Sequence, residues 1–477
     1  MAANTDNNKK GLPLDKVIQA IPEGITDAAE GADPLRELIS QISTRKIPVN
    51  SLTRLWALGS MQAKVAVGYL AYAMRSSFSN KTEKQKRLNE AHLKAALKLL
   101  GTMGYLRGAV MKIGQLLSNM PHVVPDEISE TLERLQFEAP PMHYSLIREV
   151  FLDEFGQEPS EIFASFDKKA FAAASLGQVH RATLNSGEEV AVKIQYPSMA
   201  STIRSDIANL KKILLPMKLK KESRYIFGHL SDVETVLVGE TDYLEEARFM
   251  IKAREFFDPE DEIVVPKVWE EYSTDRVLTT DFLTGKHAAD FLKTNPEQSS
   301  RDHFGILISR AILRIWGRAK TLYADPNPGN FLFLDDNRLG LLDFGCCRTL
   351  STVEWKFQVQ AETSLLNGDH EIMNRLIASA TLFKGPEEME PERLELMINL
   401  SKWQAEPAMK PGVFNFGDRE YYQRGIDLYM EATRKGYIRN NSIYIWWTRL
   451  IFGHRTLLYR LGSKIDYHQI YMDERNY

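Results

Sequence analysis

Ala324-Asp325-Pro326-Asn327-Pro328-Gly329-Asn330, followed by Leu341-Leu342-Asp343-Phe344-Gly345, is the stretch that decides how this chain is read. Asp325 and Asn330 stand five positions apart, and Asp343 follows Asn330 by 13 residues. Between them, residues 331–333 and 340–342 alternate as a short hairpin turned at Asp335-Asp336-Asn337. This ordered set suits phosphoryl transfer. The first carboxylate orients an attacking hydroxyl or accepts its proton. The amide and the second carboxylate offer hard oxygens to magnesium, which shares them with nucleotide phosphates. Asp-Phe-Gly alone arises often by chance, and a Pro/Gly-rich surface loop would explain the first half. The order of the three groups around a hairpin carries the reading.

Upstream, residues 178–184 and 189–195 form a second hairpin signal through Asn185-Ser186-Gly187. Its second strand runs Val190-Ala191-Val192-Lys193, so a lysine ends a strand 132 residues before Asp325. An ammonium in that place pairs with nucleotide phosphates and is held by a helix glutamate. The acidic string Glu240-Thr241-Asp242-Tyr243-Leu244-Glu245-Glu246-Ala247 lies within a helical pattern over 230–257. On one continuous helix Asp242 and Glu246 share a face, and two inward carboxylates call for a cation between them. Lys193 is one candidate for that cation; a solvated helix face is the plainer alternative. Asp281, at the end of an expected strand over 276–281, is a further candidate for the nucleotide-binding set.

The glycine-rich loop expected before the lysine hairpin is missing. The chain reads Ala172-Ala173-Ala174-Ser175-Leu176-Gly177-Gln178-Val179 there. Glycines let backbone N–H groups close over phosphates, whereas alanine at positive φ costs about 1 kcal/mol. A nucleotide bound beneath these alanines is expected to hold its phosphates differently than in a protein kinase. Tyr323-Ala324-Asp325 stands where His-Arg-Asp is usual, and no Ala-Pro-Glu follows Gly345. Both features argue against a platform for protein substrates.

The rest of the 477 residues fits this centre. Residues 1–35 read as a flexible lead-in, 36–165 as all helix, 166–285 as a small sheet with helices, and 286–477 as mostly helix. The expected fold class is α+β: a two-lobed protein-kinase-like fold with an N-terminal helical extension. A basic face (Lys84, Lys86, Arg87, Lys94, Lys98) opposes the apolar stripe of one extension helix. It reads as solvated surface or as a contact for anionic lipid. With 60 Lys+Arg against 63 Asp+Glu, the net charge of -3 gives no general case for nucleic acid. The two cysteines, Cys346 and Cys347, are adjacent and cannot staple distant segments, which suits a reducing interior. The start lacks a signal-peptide core, and no apolar run reaches the ~18–20 residues of a spanning helix. The stretch 443–461 is interrupted by Arg449, His454, Arg455 and Arg460. Its Trp446 and Trp447 read as core packing or as an interfacial anchor. An intracellular protein, cytoplasmic or peripherally membrane-associated, is expected.

These departures from the ordinary kinase pattern resemble the UbiB (AarF-type) family of atypical kinase-like proteins, over roughly residues 50–470. Four blocks carry the resemblance. They are Lys112-Ile113-Gly114-Gln115, matching the family's K-x-G-Q signature; the alanine-rich segment running into Gly177-Gln178-Val179-His180-Arg181-Ala182; Glu240 and Asp242 followed by Glu246-Ala247; and Asp325 through Gly345. The resemblance implies an ATP and Mg²⁺ site partly covered by the helical extension, with Lys112 and Gln115 as regulatory residues. Lys112 would pair with Glu240 and Asp242, and Glu246 would hold Lys193; Lys193 with Glu240 is the alternative. Asp325 and Lys193 would be catalytic. Asn330 and Asp343 would take the metal. Ala172, Ala173, Ala174, Ser175, Gly177, Val179, Lys193, Glu246 and Asp281 would line the nucleotide. Tyr323 and Asn327 replace two histidines found in many members, which questions any proton-transfer role at those positions. The implied activity is that of an ATPase or unorthodox kinase in isoprenoid quinone biosynthesis or membrane lipid homeostasis. The implied partners are a membrane lipid or quinone precursor and biosynthetic proteins. A nucleotide-gated regulator without phosphoryl transfer is the alternative.

Overall fold

The structure, a computed structural model, describes residues 144–475 except 175, 198, 215–233, 382, 436 and 438–442. Lys112, Gln115 and Ser175, with the expected helices before residue 144, lie outside the described residues.

The first lobe is built on an antiparallel sheet of β1 (Ser165–Phe166), β2 (Ala172–Ala174), β3 (Gly177–Thr183), β4 (Glu189–Gln195) and β6 (Val277–Asp281). β3 and β4 form the hairpin at its centre, β6 flanks β4, and β1 and β2 share the far edge of β3. Alternation places Val190, Val192 and Ile194 on the buried face, where helix α1 (Tyr144–Phe155) covers them with Ile147, Val150 and Phe151. Lys193 alternates to the other face, opposite Val179 on β3 and Leu278 on β6. Helix α2 (Met199–Leu214) follows, and helix α3 (Tyr243–Arg254) precedes the short strand β5 (Ile263–Val264).

The second lobe is mostly helical. Long helix α4 (Gln298–Ala319) runs through its core beside a sheet ordered β5–β10–β9–β7. There β7 is Gly285–His287, and β9 (Phe331–Leu334) with β10 (Leu339–Leu341) makes the expected hairpin. Asn337, with φ 65°, closes its turn in the left-handed region that Asn tolerates. Strands β8 (Thr321–Tyr323) and β11 (Cys347–Thr349) pair with each other. Helices α5 (Thr352–Asn367), α6 (Pro391–Met409), α7 (Arg419–Arg434), α8 (Ile443–Leu461) and α9 (Tyr467–Glu474) belong to the rest of the lobe. Of the described helices, none is long and apolar enough to cross a membrane.

Three sequence expectations are corrected. The helical pattern over 230–257 is broken at Glu240 and Thr241, and α3 starts at Tyr243. Asp242 is its N-cap, and its carboxylate accepts from Glu245 N at 2.9 Å. Asp242 therefore does not share an inward helix face with Glu246, because capping an orphan N–H turns it along the helix axis. Secondly, Ala172–Ala174 are a paired strand rather than a loop, opposite Val179, Gln178 and Gly177. None of the three has positive φ, so the strain expected of alanine does not arise. Thirdly, β7, β8 and β11 lie beyond Gly285, where only one hairpin was expected.

Candidate active site

The cleft between the lobes gathers residues from five segments. Lys193 Nζ donates to Glu246 Oε1 and Oε2 at 2.8 and 2.9 Å, and to Asp343 Oδ2 at 3.0 Å. β4 delivers the lysine, the first two turns of α3 the glutamate, and the segment after β10 the aspartate. The pairing left open in the sequence is thus Lys193 with Glu246. The aromatic ring of Tyr243 lies 5.1 Å from the ammonium. Phe344 is buried in the main core, 5.4 Å edge-to-face from Tyr323, while Asp343 points toward Lys193. Glu246 Oε1 also accepts from Phe344 N at 3.2 Å. Gly345 N donates to Asp343 Oδ1 at 2.9 Å. A Cβ on Gly345 would stand 3.3 Å from Asp343 Oδ1 and 3.4 Å from Glu246 Oε2, so this glycine keeps the corner clear.

Among the described residues, one ammonium lies between two carboxylates. Burial pushes the Glu246 carboxyl up, and Asp343 adds to that push, against the pull of Lys193. Burial works against the lysine charge, but Asp343 and Glu246 hold its pKa well above the ordinary lysine value. The Asp343 side chain keeps 26% of its surface exposed, against 1% for Glu246. A partly open carboxylate suits a cation arriving from the cleft.

The loop after β8 supplies the other half. Ala324 N donates to Cys346 O at 2.9 Å, tying the loop to the turn beyond Gly345. Asn330 Nδ2 donates to Asp325 O at 2.8 Å, which leaves its Oδ1 as the remaining side-chain oxygen. Leu342 N donates to Asn330 O at 3.0 Å, and that bond seats Asn330 one residue away from Asp343 across the hairpin base. Asp325 Oδ1 accepts from Arg449 Nη2 of α8 at 3.2 Å. Asn327 Oδ1 accepts from Gly329 N at 3.0 Å, so this side chain shapes the turn. One carboxylate and one amide oxygen are hard donors of the kind magnesium takes with phosphate and water oxygens, and the residues present fit that group. Clusters of three or more His, Cys, Asp or Glu able to hold a metal are absent among the described residues.

Other candidates fall at the margins. Ala172–Ala174 lie on the sheet edge next to Gly177, where a Cβ would stand 2.1 Å from Ile194 O. Glycine is thus required at 177 by the approach of β3 to β4. The Asp281 carboxylate accepts from Lys267 N at 3.1 Å and Trp269 Nε1 at 2.9 Å, which ties down the loop before β6. Glu240 is buried, whereas Asp242 is exposed. Trp446 and Trp447 both pack against the core, with Trp447 6.1 Å from Trp316. Sequence reasoning missed Arg449 and Gly453 as neighbours of the Asp325 loop. The available signal was an arginine amid the apolar run of 443–461.

Residues 134–377 match the ABC1 atypical kinase-like domain. The chain is 31% identical over 342 residues to the mitochondrial atypical kinase COQ8B of Danio rerio, covering 70% of this chain and 54% of that protein. It is 28% identical over 437 residues to the mitochondrial atypical kinase COQ8 of Schizosaccharomyces pombe, covering 89% and 69%. With COQ8 of Saccharomyces cerevisiae it shares 31% identity over 311 residues, covering 64% and 61%. The chain thus spans about half to two thirds of the length of these relatives. Among solved structures, the Rv3197–erythromycin complex from Mycobacterium tuberculosis superposes with a TM-score of 0.53 at 24% identity, covering 82% of this chain and 97% of that one. That likeness supports the two-lobed fold.

Proposed function

The chain belongs to the UbiB (AarF-type) family of atypical kinase-like proteins, and on that footing we propose that it binds Mg·ATP in the cleft and works as an ATPase or phosphotransferase. The observation that carries this is the Lys193–Glu246–Asp343 cluster, one ammonium set between a buried carboxylate and a partly open one. Lys193, fixed by Glu246, presents its positive charge to nucleotide phosphates. Asp343 and Asn330 would hold magnesium, which neutralises charge on the phosphate oxygens when bound. Asp325 orients an attacking hydroxyl or water. β2, β3 and the residues Val179 and Gly177 would roof the nucleotide. The helical extension with Lys112 and Gln115 would cover the site, pairing Lys112 with Glu240 and Asp242. The resemblance to the UbiB family extends the proposal to isoprenoid quinone biosynthesis or membrane lipid homeostasis. A lipid or quinone precursor would be the substrate class, at a peripheral membrane contact shared with biosynthetic proteins.

A nucleotide-gated regulator is the second reading, favoured by one observation. The Asp325 carboxylate is engaged by Arg449, so one of its oxygens is already taken by a guanidinium. The deciding experiment is an ATP turnover assay of wild type and Asp343→Asn, with and without anionic liposomes and a soluble quinone-precursor mimic. Turnover that needs Asp343 and rises with liposomes is expected. Binding without turnover under every condition would favour the regulator.

A further inference from the structure

Helix α8 meets the Asp325 loop at three levels. Trp446 packs on the small buried cluster of Val236, Ala324 and Cys346. One turn on, Arg449 Nη2 donates to Asp325 Oδ1 at 3.2 Å. One further turn on, Gly453 lies so close to Pro326 that a Cβ there would stand 2.6 Å from its Cγ and 3.0 Å from its Cδ. Positions 446, 449 and 453 lie on one helix face, and they meet the consecutive residues Ala324, Asp325 and Pro326.

The Arg449 side chain is 10% exposed, and among the described residues its Nη1 is buried without a hydrogen-bond partner. Burial works against the guanidinium charge, but Cys346, Asp325 and Glu240 keep it protonated. Among the described residues, the guanidinium donates to Asp325 alone of the cleft carboxylates, from Nη2 to Oδ1.

We propose that α8 is the rail that sets Asp325, with Arg449 as the positioning residue that aims its carboxylate and Gly453 as the spacer that lets the loop sit against the helix. The proposal rests on the reading of Asp325 as the residue that orients the attacking group. It separates two functions of the cleft. Nucleotide is held from the Lys193 side, and turnover is governed from α8.

The test measures Mg·ATP affinity by titration calorimetry and ATP turnover by steady-state kinetics, on the full chain. The proteins are wild type, Arg449→Met, Gly453→Ala, Asp325→Asn and the double variant Arg449→Met/Asp325→Asn. Misplacing a reacting group by about 1 Å can cost on the order of 100-fold in rate. Arg449→Met and Gly453→Ala are therefore expected to lower kcat by about 10- to 100-fold, with the Mg·ATP dissociation constant within about twofold of wild type. In the Asp325→Asn background, Arg449→Met should cost no more than about twofold further, since its target carboxylate is gone. Gly453→Ala displaces the loop without deleting a buried charge, so it answers the question even if Arg449→Met does not fold. Affinity and turnover falling together in both variants, or an undiminished Arg449→Met penalty in the double variant, would overturn the positioning role. Wild-type turnover unaffected by either α8 substitution would end this inference alone. A wild type that binds Mg·ATP and never turns it over would end the phosphoryl-transfer reading, and this inference with it.

Discussion

Two buried ion clusters in this molecule differ in charge balance. In the second lobe, Arg314 of α4 donates to both oxygens of Glu474 at 2.7 and 2.6 Å, to Phe256 O at 3.1 Å and to Asp261. Arg310 adds a second cation 3.5 Å from Glu474. Two guanidinium groups thus face two carboxylates. Burial pushes the Asp261 carboxyl up, but the bonds from Arg314 and Asp258 N hold it below the usual range. In the cleft, among the described residues, one ammonium lies between two carboxylates, and burial pushes Glu246 up. The first cluster pins α4 to α9 and the segment before β5. The cleft cluster is closed on its Glu246 side and partly exposed at Asp343.

The contrast is most exposed to failure at Arg314. Arg314→Met leaves the buried Glu474 and the half-buried Asp261 with one partly buried arginine. It should cost about 3–5 kcal/mol of stability in chemical denaturation, while folded protein keeps its affinity for Mg·ATP. A loss under about 1 kcal/mol would show that the cluster is not holding the lobe.

Paired neutralisations sharpen the comparison further. Glu474→Gln breaks a matched cluster and should cost at least about 2 kcal/mol. Glu246→Gln removes one of the two carboxylate charges on Lys193, keeps an oxygen for Phe344 N, and should cost no more than about 1 kcal/mol. Its effect should appear in nucleotide affinity, lowered about tenfold or more as Lys193 loses its charged partner. Equal losses of stability at the two sites would erase the distinction.

A buried carboxylate on α5 gives the pH test. Burial raises the Glu362 carboxyl of α5 to about 7, against the pull of Tyr471 and Arg475. The unfolded chain releases that proton at lower pH, so the native state binds more protons between about pH 4.5 and 7 and loses stability as pH rises through that window. Glu362→Gln should therefore stabilise the protein by about 1–2 kcal/mol at pH 8 and leave it unchanged at pH 4. Thermal unfolding at the two pH values reads the difference, and an equal change at both would contradict it.

The smallest effect is expected at the cleft's edge. Ala173 is exposed on an extended strand, so Ala173→Gly should cost only about 0.5–1 kcal/mol. Paired ATP and ADP titrations of this variant and wild type test whether the alanine methyls shape the phosphate site. A constant ratio of the two affinities would show that they only support the strand.

Much of this was legible in the sequence where the signal is local. The β3–β4 hairpin, helix α1 and the β9–β10 hairpin follow from period and turn residues within single short stretches of chain. Asp325, Asn330 and Asp343 announce themselves by spacing. What stayed hidden depends on contacts across the chain. Asp242 reads as inward-facing if the helix is continuous, yet Asp-x-x-Glu from Asp242 to Glu245 is also a capping signal, and capping prevails. β7, β8 and β11 are three residues each, too short for alternation to register. Arg449 finds Asp325 across 124 residues, a meeting that periodicity cannot announce.

The central claim is that Lys193, Glu246, Asn330 and Asp343 form a magnesium-nucleotide site. Titration calorimetry of ATP into wild type and Asp343→Asn, each with magnesium and with excess chelator, tests it most directly. The account predicts magnesium-dependent binding to wild type, and at least about tenfold weaker binding by a folded Asp343→Asn, which removes one charge facing the metal. Equal affinities in all four titrations would contradict it.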